Sequence, residues 1–438
     1  MTRVLLFSHT TGYQLRAFND AADALGIELV FATDRCHKLD DPWQDRAIPV
    51  RFHELDASVD AIVDRAGRHP VDGVIAVGDR PVVLAARAAA ALGLPWHTVA
   101  SAHVATDKRR SRAALMHAGL PSPHFTVVPA HEMAGSSAAV MTTYPCVLKP
   151  VGLSGSRGVI RADDRDAFVA AFNRIRALLA RPDVRAARAG QEDQILVEDY
   201  VAGYEFAVEG VMTEGALEIF ALFDKPDPLE GPFFEETIYV TPSRLGSMSH
   251  AAIVDHIRLA CHAIGLWHGP VHAECRVAAD GAVYVLEVAA RPIGGLCSRV
   301  LTFRARAGVP KHGPDTRGDG VSLEEVLLRH AVGESIDGWS RDSAAAAVMM
   351  IPIPARGMYK GVAGEREARA VPGVTDIRIT AKAGQLLETL PEAGSYLGFI
   401  FANGNSPADA ETAVRTAHTK LSFAISRELT VRPGTAKP

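Results

Sequence analysis

Two glutamates, Glu274 and Glu287, stand at a spacing that could hold a metal ion. They lie in Val271 to Arg299, VHAECRVAADGAVYVLEVAARPIGGLCSR, where two Val-rich runs meet at Asp280-Gly281, a dipeptide suited to a two-residue type I′ hairpin turn. With those two as loop residues, Ala279 pairs with Ala282, and counting outward sets Glu274 opposite Glu287. Facing carboxylates with Cβ atoms about 5 Å apart repel one another unless a cation sits between them. Mg²⁺ suits the place, because it takes oxygen ligands, often one or two carboxylates, and completes its shell with phosphates and water. Just beyond the second acid the chain leaves the strand as Ala289-Ala290-Arg291-Pro292-Ile293-Gly294-Gly295. That puts an always-charged guanidinium near the ion and a Gly pair where backbone can approach a ligand. The same residues also suit a solvent-facing strand edge, which often carries charge.

Other stretches could bind anions. Thr106-Asp107-Lys108 opens a helix expected over Lys108 to Ala118, capped by Asp107 or Thr106 and ended by Gly119-Leu120-Pro121. A lysine in the first turn stands at the unfavourable end of the helix dipole, which suggests an anionic partner. Lys149, within the apolar strand Tyr144 to Pro150, also needs one. The next stretch, Gly152-Leu153-Ser154-Gly155-Ser156-Arg157-Gly158, can wrap phosphate oxygens with N–H groups and hydroxyls, or close as a lid. Here the lysine precedes the glycines, unlike a Walker A loop. Glu198 and Glu205 flank a bend at Ala202-Gly203, and such acids can accept from an adenine amino group or from ribose hydroxyls. Phe223 to Pro228, with Lys225, and Gly231 to Glu236 form a Pro-rich loop able to reach substrate, while His272 falls opposite Ala289, one step from the acids.

The elements that must position these groups read as α/β. Arg3 to Ser8, Glu28 to Thr33 and Val71 to Val77 are strands separated by helices at Leu15 to Leu25 and Ser58 to Arg68, a βαβ alternation that implies a doubly wound layer. Ligands on such layers sit beyond the carboxyl ends of the strands, at Thr10 to Gln14 and Gly78-Asp79-Arg80. Strands at Ile195 to Val201 and Tyr204 to Val211 and helices at Val254 to Ile264 and Leu323 to Leu328 follow. From Val348 onward short strands broken by Gly and Pro precede a helix at Ala408 to Leu421, a small mixed lobe. At 438 residues the chain is expected to form several units. A formal net charge of −5 argues against a nucleic-acid partner. Five cysteines without C-x-x-C spacing fit a reducing compartment, and no apolar run is long enough for a membrane span or signal peptide, so a cytoplasmic protein is expected.

The order of these features resembles the ATP-grasp superfamily over most of the chain. The residues that carry the resemblance are Thr106-Asp107-Lys108 with the GLPSP that follows the helix, Val147-Leu148-Lys149-Pro150 with its Gly/Ser loop, and Glu198-Asp199-Tyr200-Val201 with Glu205; His272-Ala273-Glu274 and Glu287 to Arg291 complete the set. The C-terminal SYLGFIFANG is similar to the closing lobe of the carboxylate-amine ligase branch, which includes L-amino acid ligases and glycinamide ribonucleotide synthetase-like enzymes. The resemblance implies an ATP-grasp fold with an N-terminal Rossmann-like domain (1–105), a linker helix and mobile lid (106–205), a catalytic subdomain (206–343) and a C-terminal α/β lobe (344–438). It implies that Lys108, Lys149 and the loop with Ser154, Gly155, Ser156 and Gly158 hold the phosphates of ATP. Glu198, Asp199, Tyr200, Val201 and Leu286 would surround adenine, and Glu205 would bind ribose. Glu274 and Glu287 would hold Mg²⁺ or Mn²⁺, with Arg291 and Lys225 as catalytic residues. The implied activity is ATP-dependent joining of a small carboxylate to an amine through an acyl phosphate, in a homodimer. A ligase acting on a purine precursor or bicarbonate, and an ATP-binding protein without turnover, are the alternatives. The family commonly has Asn two residues after the second metal-binding Glu, where this chain has Ala289.

Overall fold

A computed structural model describes residues 1–9, 12–34, 47–136, 143–187, 193–305 and 320–426. Thr10, Thr11 and Cys36 therefore lie outside the described residues. The N-terminal layer is a parallel sheet of β1 (Arg3–Ser8), β2 (Glu28–Thr33), β3 (Ile48–Pro49) and β4 (Gly73–Ala76) in the order β3-β2-β1-β4. Its strands are short and almost wholly apolar because helices cover them, among them α1 (Leu15–Leu25), α2 (Leu55–Arg68) and α3 (Val82–Leu92). Helix α1 stops at Gly26, which takes the left-handed φ of 65°. Helix α4 (Val99–Ala105) then leads to α5 (Lys108–His117), whose first N–H groups are capped by the Asp107 carboxylate at 3.0 and 3.1 Å.

Four antiparallel strands, β5 (Phe125–Pro129), β6 (Cys146–Pro150), β7 (Ile160–Ala162) and β8 (Gln194–Asp199), form the lid sheet in the order β5-β8-β6-β7. The helix Arg165–Leu179 packs Phe168, Phe172 and Ile175 onto it, giving the lid an apolar core of its own. The central sheet uses β9 (Tyr204–Thr213), β10 (Ala216–Lys225), β11 (Ile238–Thr241), β12 (Gly269–Val277) and β13 (Val283–Ala289). The next strands, β14 (Thr302–Ala305), β15 (Val321–Ser322) and β16 (Trp339–Arg341), make a small side sheet. The C-terminal part contributes β17 (Ala345–Ile351), β18 (Gly357–Ala363), β19 (Val374–Ile379), β20 (Leu386–Leu387), β21 (Gly398–Gly404) and β22 (Ser422–Ser426).

Three of these C-terminal strands do more than pack on the rest. The central sheet runs β13-β12-β9-β10-β11-β17-β21-β19, with β17 paired directly to β11, so no break in the sheet marks a boundary near residue 344. The apolar run AAAVMMI forms β17 and is buried throughout, which suits an interior strand covered on both faces.

The hairpin also differs from expectation in its turn. Gly281 N–H donates to Ala278 O and Ala278 N–H to Ala282 O, both at 2.9 Å, so the loop has three residues, with Gly281 in the left-handed region at φ 88°. This is a type I turn closed by a Gly bulge, not the two-residue type I′ turn. The pairing near the turn is accordingly shifted by one, Val277 facing Val283. A β-bulge between Glu274 and Cys275, where Leu286 is the extra residue, shifts it back, and Glu274 does face Glu287. Two displacements cancel at the position that matters.

Candidate active site

The ends of these layers enclose a cavity of about 350 Å³. The bulge has a direct effect on its wall: consecutive residues Leu286 and Glu287 both line it, while Val285 and Val288 on either side are buried in the core. Most of the residues singled out in the sequence line the same cavity: Lys108, Lys149, Ser154, Gly155, Ser156, Glu198, Asp199, Tyr200, Val201, Glu205, Glu274 and Arg291. Two do not. Gly158 lies at φ 76° against Pro150 and Leu178, and its N–H donates to Pro391 O at 2.8 Å, which gives it a structural role in the lid instead of a phosphate contact. Lys225 lies beneath the wall with only 3% of its side chain exposed.

Each site cation already has a protein partner. Lys149 Nζ pairs with Glu198 on the neighbouring strand, the partner its apolar strand required. Arg112, on α5 one turn after Lys108, closes on the same carboxylate, Nε to Oε2 at 2.9 Å and Nη2 to Oε1 at 3.4 Å. Burial alone would raise the Glu198 carboxyl, but Arg112 and Lys149 outweigh it and hold it down to about 2. Lys108 donates to Leu153 O in the lid loop, which ties α5 to the lid. In that loop Gly155 and Ser156 both take left-handed φ, 64° and 55°, and the second is unusual for a residue with a side chain.

A second cluster surrounds Lys225. Its Nζ lies 2.8 Å from Glu205, 2.9 Å from Glu236 and 3.0 Å from Glu274. Those acids place oxygens within 4.8 Å of one another, a spacing that would suit a metal ion, but the ammonium already supplies the positive charge there. Arg276 Nε holds the other oxygen of Glu205 at 2.9 Å. Burial and the repulsion of Glu274 push Glu236 up to about 7 in spite of Lys225, and its Oε2 lies 2.9 Å from Tyr239 Oη. His272 stands between Glu209, 3.1 Å from Nδ1, and Glu274, 3.6 Å from Nε2; these two acids overcome its burial and raise it to about 9, so it is a cation at neutral pH. Glu209 is fully buried and also accepts from the N–H of Ile293, pinning the loop that carries Arg291.

Arg291 itself is gripped from the N-terminal layer. Asp79, just past β4, accepts from Nε at 2.9 Å and from Nη2 at 3.3 Å. The loop flagged beyond the strand end thus reaches the site through one carboxylate, and the buried Gln14 joins it by donating to Ile293 O. Ala289 is buried and paired with His272.

Lys225, His272 and Tyr239 all meet Glu274 at Oε1, and among the described residues Glu287 accepts no hydrogen bond. Glu274 Oε2 and the Glu287 carboxylate therefore remain for a hard cation, and the donor set fits Mg²⁺ or Mn²⁺. Sequence reading passed over Arg112 and Arg276. Both carried a signal: Arg112 is four residues after Lys108 on one helix face, and Arg276 is two residues after Glu274 on one strand face.

Comparison with known proteins agrees with this architecture. Residues 142–300 match the model of an ATP-grasp domain, residues 19–96 that of an ATP-grasp N-terminal domain, and residues 349–426 that of L-amino acid ligase C-terminal domain 2. The chain belongs to the ATP-grasp superfamily. The crystal structure of an L-amino acid ligase from Bacillus licheniformis superposes with a TM-score of 0.80 at 25% identity, covering 98% of this ATP-grasp chain and 99% of that one. Alanine–anticapsin ligase of Bacillus subtilis is 29% identical over 248 residues, 54% of this chain and 52% of that protein. Dapdiamide A synthase of Enterobacter agglomerans is 24% identical over 60% of this chain and 59% of its own length. The chain thus spans about half the length of the first curated relatives it matches. Among the described residues, no helix of this ATP-grasp protein is long and apolar enough to cross a membrane.

Proposed function

We propose that this ATP-grasp protein is a ligase that uses ATP to join a small carboxylic or amino acid to an amine, forming an amide or peptide bond and releasing ADP and phosphate. One observation supports it above the others: Arg291, fixed by Asp79, lines the same cavity as the facing acids Glu274 and Glu287 and the lysines 108 and 149. A guanidinium held in this way is oriented for a carboxylate or phosphoryl group before either arrives. The named relatives, one a ligase by name (alanine–anticapsin ligase) and one a synthase (dapdiamide A synthase), support the same reading.

In this reading the substrate carboxylate takes the γ-phosphoryl group, which turns a poor electrophile into an acyl phosphate; an amine then attacks the acyl carbon and phosphate leaves. Lys108, Lys149 and Arg291 offset the charge spread over the transferring oxygens. Glu198, with both oxygens engaged, acts by orienting Lys149 and Arg112, so adenine falls to the backbone of Asp199 to Val201 and to Leu286. Glu205, held through one oxygen by Lys225 and through the other by Arg276, keeps a further acceptor site on each oxygen for ribose hydroxyls, whereas Glu198 Oε1 already takes both Lys149 and Arg112. Mg²⁺ or Mn²⁺, held by Glu274 and Glu287, would neutralise phosphate charge. The lid loop Ser154 to Ser156 excludes water that would hydrolyse the acyl phosphate. A cytoplasmic homodimer is the state proposed for it.

The test is phosphate release from Mg²⁺-ATP across a matrix of carboxylates and amines, with Glu287→Ala and Arg291→Ala alongside. Release that requires both substrates and disappears in both variants is expected. Nucleotide binding without release in any combination, unaltered by Ala289→Asn, would defeat the ligase reading and leave the ATP-binding protein.

A further inference from the structure

The lid and the C-terminal part have separate apolar cores. Phe168, Phe172 and Ile175 centre the first, and Ile351, Ile400 and Val414 belong to the second. Where they meet, the contacts are polar and concentrated on one loop, the stretch from Glu388 to Tyr396 that precedes β21. Arg174 forks onto Glu392 at 2.6 and 2.9 Å, and Arg181 Nη1 reaches both oxygens of Glu388 at 2.9 and 2.8 Å. Arg157, inside the Gly/Ser loop, donates to Glu392 O at 2.9 Å, beside the bond from Gly158 N–H to Pro391 O. The loop also faces inward, since Gly394 and Tyr396 line the cavity opposite Ser154 to Ser156.

We propose that the C-terminal part latches the lid, with Glu388 and Glu392 as positioning residues that hold the Gly/Ser loop over the cavity. Arg174 and Arg181, which pair with these acids, are 43% and 32% exposed, so each pair is modest and screened by salt. An interface of forked ion pairs without a shared apolar core opens and re-forms at little cost, as a lid over an exchanging substrate must. Because one loop carries the latch at its start and cavity wall at its end, a substrate that displaces Tyr396 would strain the same contacts that keep the lid shut. The proposal depends on the ligase reading only for what the lid covers; the latch itself is measurable on the free protein.

The experiment is hydrogen exchange over residues 152–158, in free protein and with a non-hydrolysable ATP analogue, for wild type, Glu392→Arg, Arg174→Glu and the double swap. Each single variant replaces a forked attraction by a repulsion, and exchange about tenfold faster is expected. The double swap is expected to return to within about twofold of wild type, and raised salt to speed exchange in wild type. Exchange unchanged in the single variants, or a swap no better than its parents, would overturn the latch. Exchange of β8 amides identifies a folding defect, and Glu388→Arg with Arg181→Glu repeats the test independently. Failure to bind the analogue would count against the ligase reading and leave the free-protein comparison intact.

Discussion

Replacing Lys225 by Met should both destabilise the protein and create a metal site. The substitution keeps the length of an unbranched side chain and removes an ammonium lying 2.8 to 3.0 Å from three carboxylates. Breaking a buried pair by removing one partner costs about 3–5 kcal/mol. Here the lower end is expected, because Glu205 keeps Arg276 at 2.9 Å, Glu274 keeps His272, and Glu236, already raised to about 7, is ready to take up a proton near neutrality. The three acids would remain within 4.8 Å of one another with no cation among them, and Ca²⁺ should take the vacated place. At about ten times its Kd, a ligand bound only to the folded state adds about 1.4 kcal/mol. Urea unfolding in a Glu287→Gln background removes the facing acid of the other candidate site and isolates the effect. A loss below about 1 kcal/mol, or no gain from Ca²⁺ in Lys225→Met/Glu287→Gln, would show that the ammonium is not the compensating charge.

Other consequences are open to direct measurement. Asp79→Asn removes the charge behind the fork on Arg291; turnover should fall about 10- to 100-fold, equivalent to about 1.4–2.7 kcal/mol, while nucleotide affinity measured by calorimetry should not weaken. Glu198, held down to about 2 from an ordinary value of 4.5, adds stability that is fully present above pH 4.5 and lost as pH falls towards 2. The interval amounts to about 3 kcal/mol, so acid unfolding of wild type should be steeper in that window than that of Glu198→Gln. Gly295 has φ 61° and a Cβ there would stand 2.9 Å from the Phe399 ring, so Gly295→Ala should cost about 1–3 kcal/mol in thermal unfolding and slow turnover by moving the loop that carries Arg291.

Local pattern made most strands and helices legible. Alternation and apolar runs mark β1, β2, β6 and β9 because burial of one or both faces dictates those residue types, and Asp107 before Lys108 marks the start of α5. The acid pair was legible by a less secure route. Asp280-Gly281 suits two turn types, and nothing local distinguishes the three-residue loop; nothing in Leu286 announces a bulge either. The count arrived at Glu274 facing Glu287 only because the two shifts cancel. Partners distant in the chain were illegible for a different reason. That Asp79 grips Arg291 across 212 positions, or that three acids converge on Lys225, follows from how the sheets stack and from no spacing in the sequence.

This web of pairs changes how binding of an anion should be understood. A chain with net charge −5 would gain little by presenting bare cations to ATP in a buried cavity, since an unpaired buried charge is costly. Instead Lys149 rests on Glu198 and Arg291 on Asp79, and a phosphate or carboxylate must share with, or displace, a partner already present. Sharing is cheap for forked guanidinium groups with donors to spare and harder for a lysine, so Arg291 can serve successive anions while staying fixed on Asp79. Affinity for a single anion is lowered, and a ligand bringing several at the right spacing is favoured over one that brings one. Asp79→Ala should therefore bind inorganic phosphate more tightly than wild type while turning over more slowly. Weaker phosphate binding in that variant would mean that the carboxylate recruits anions through Arg291 instead of competing with them.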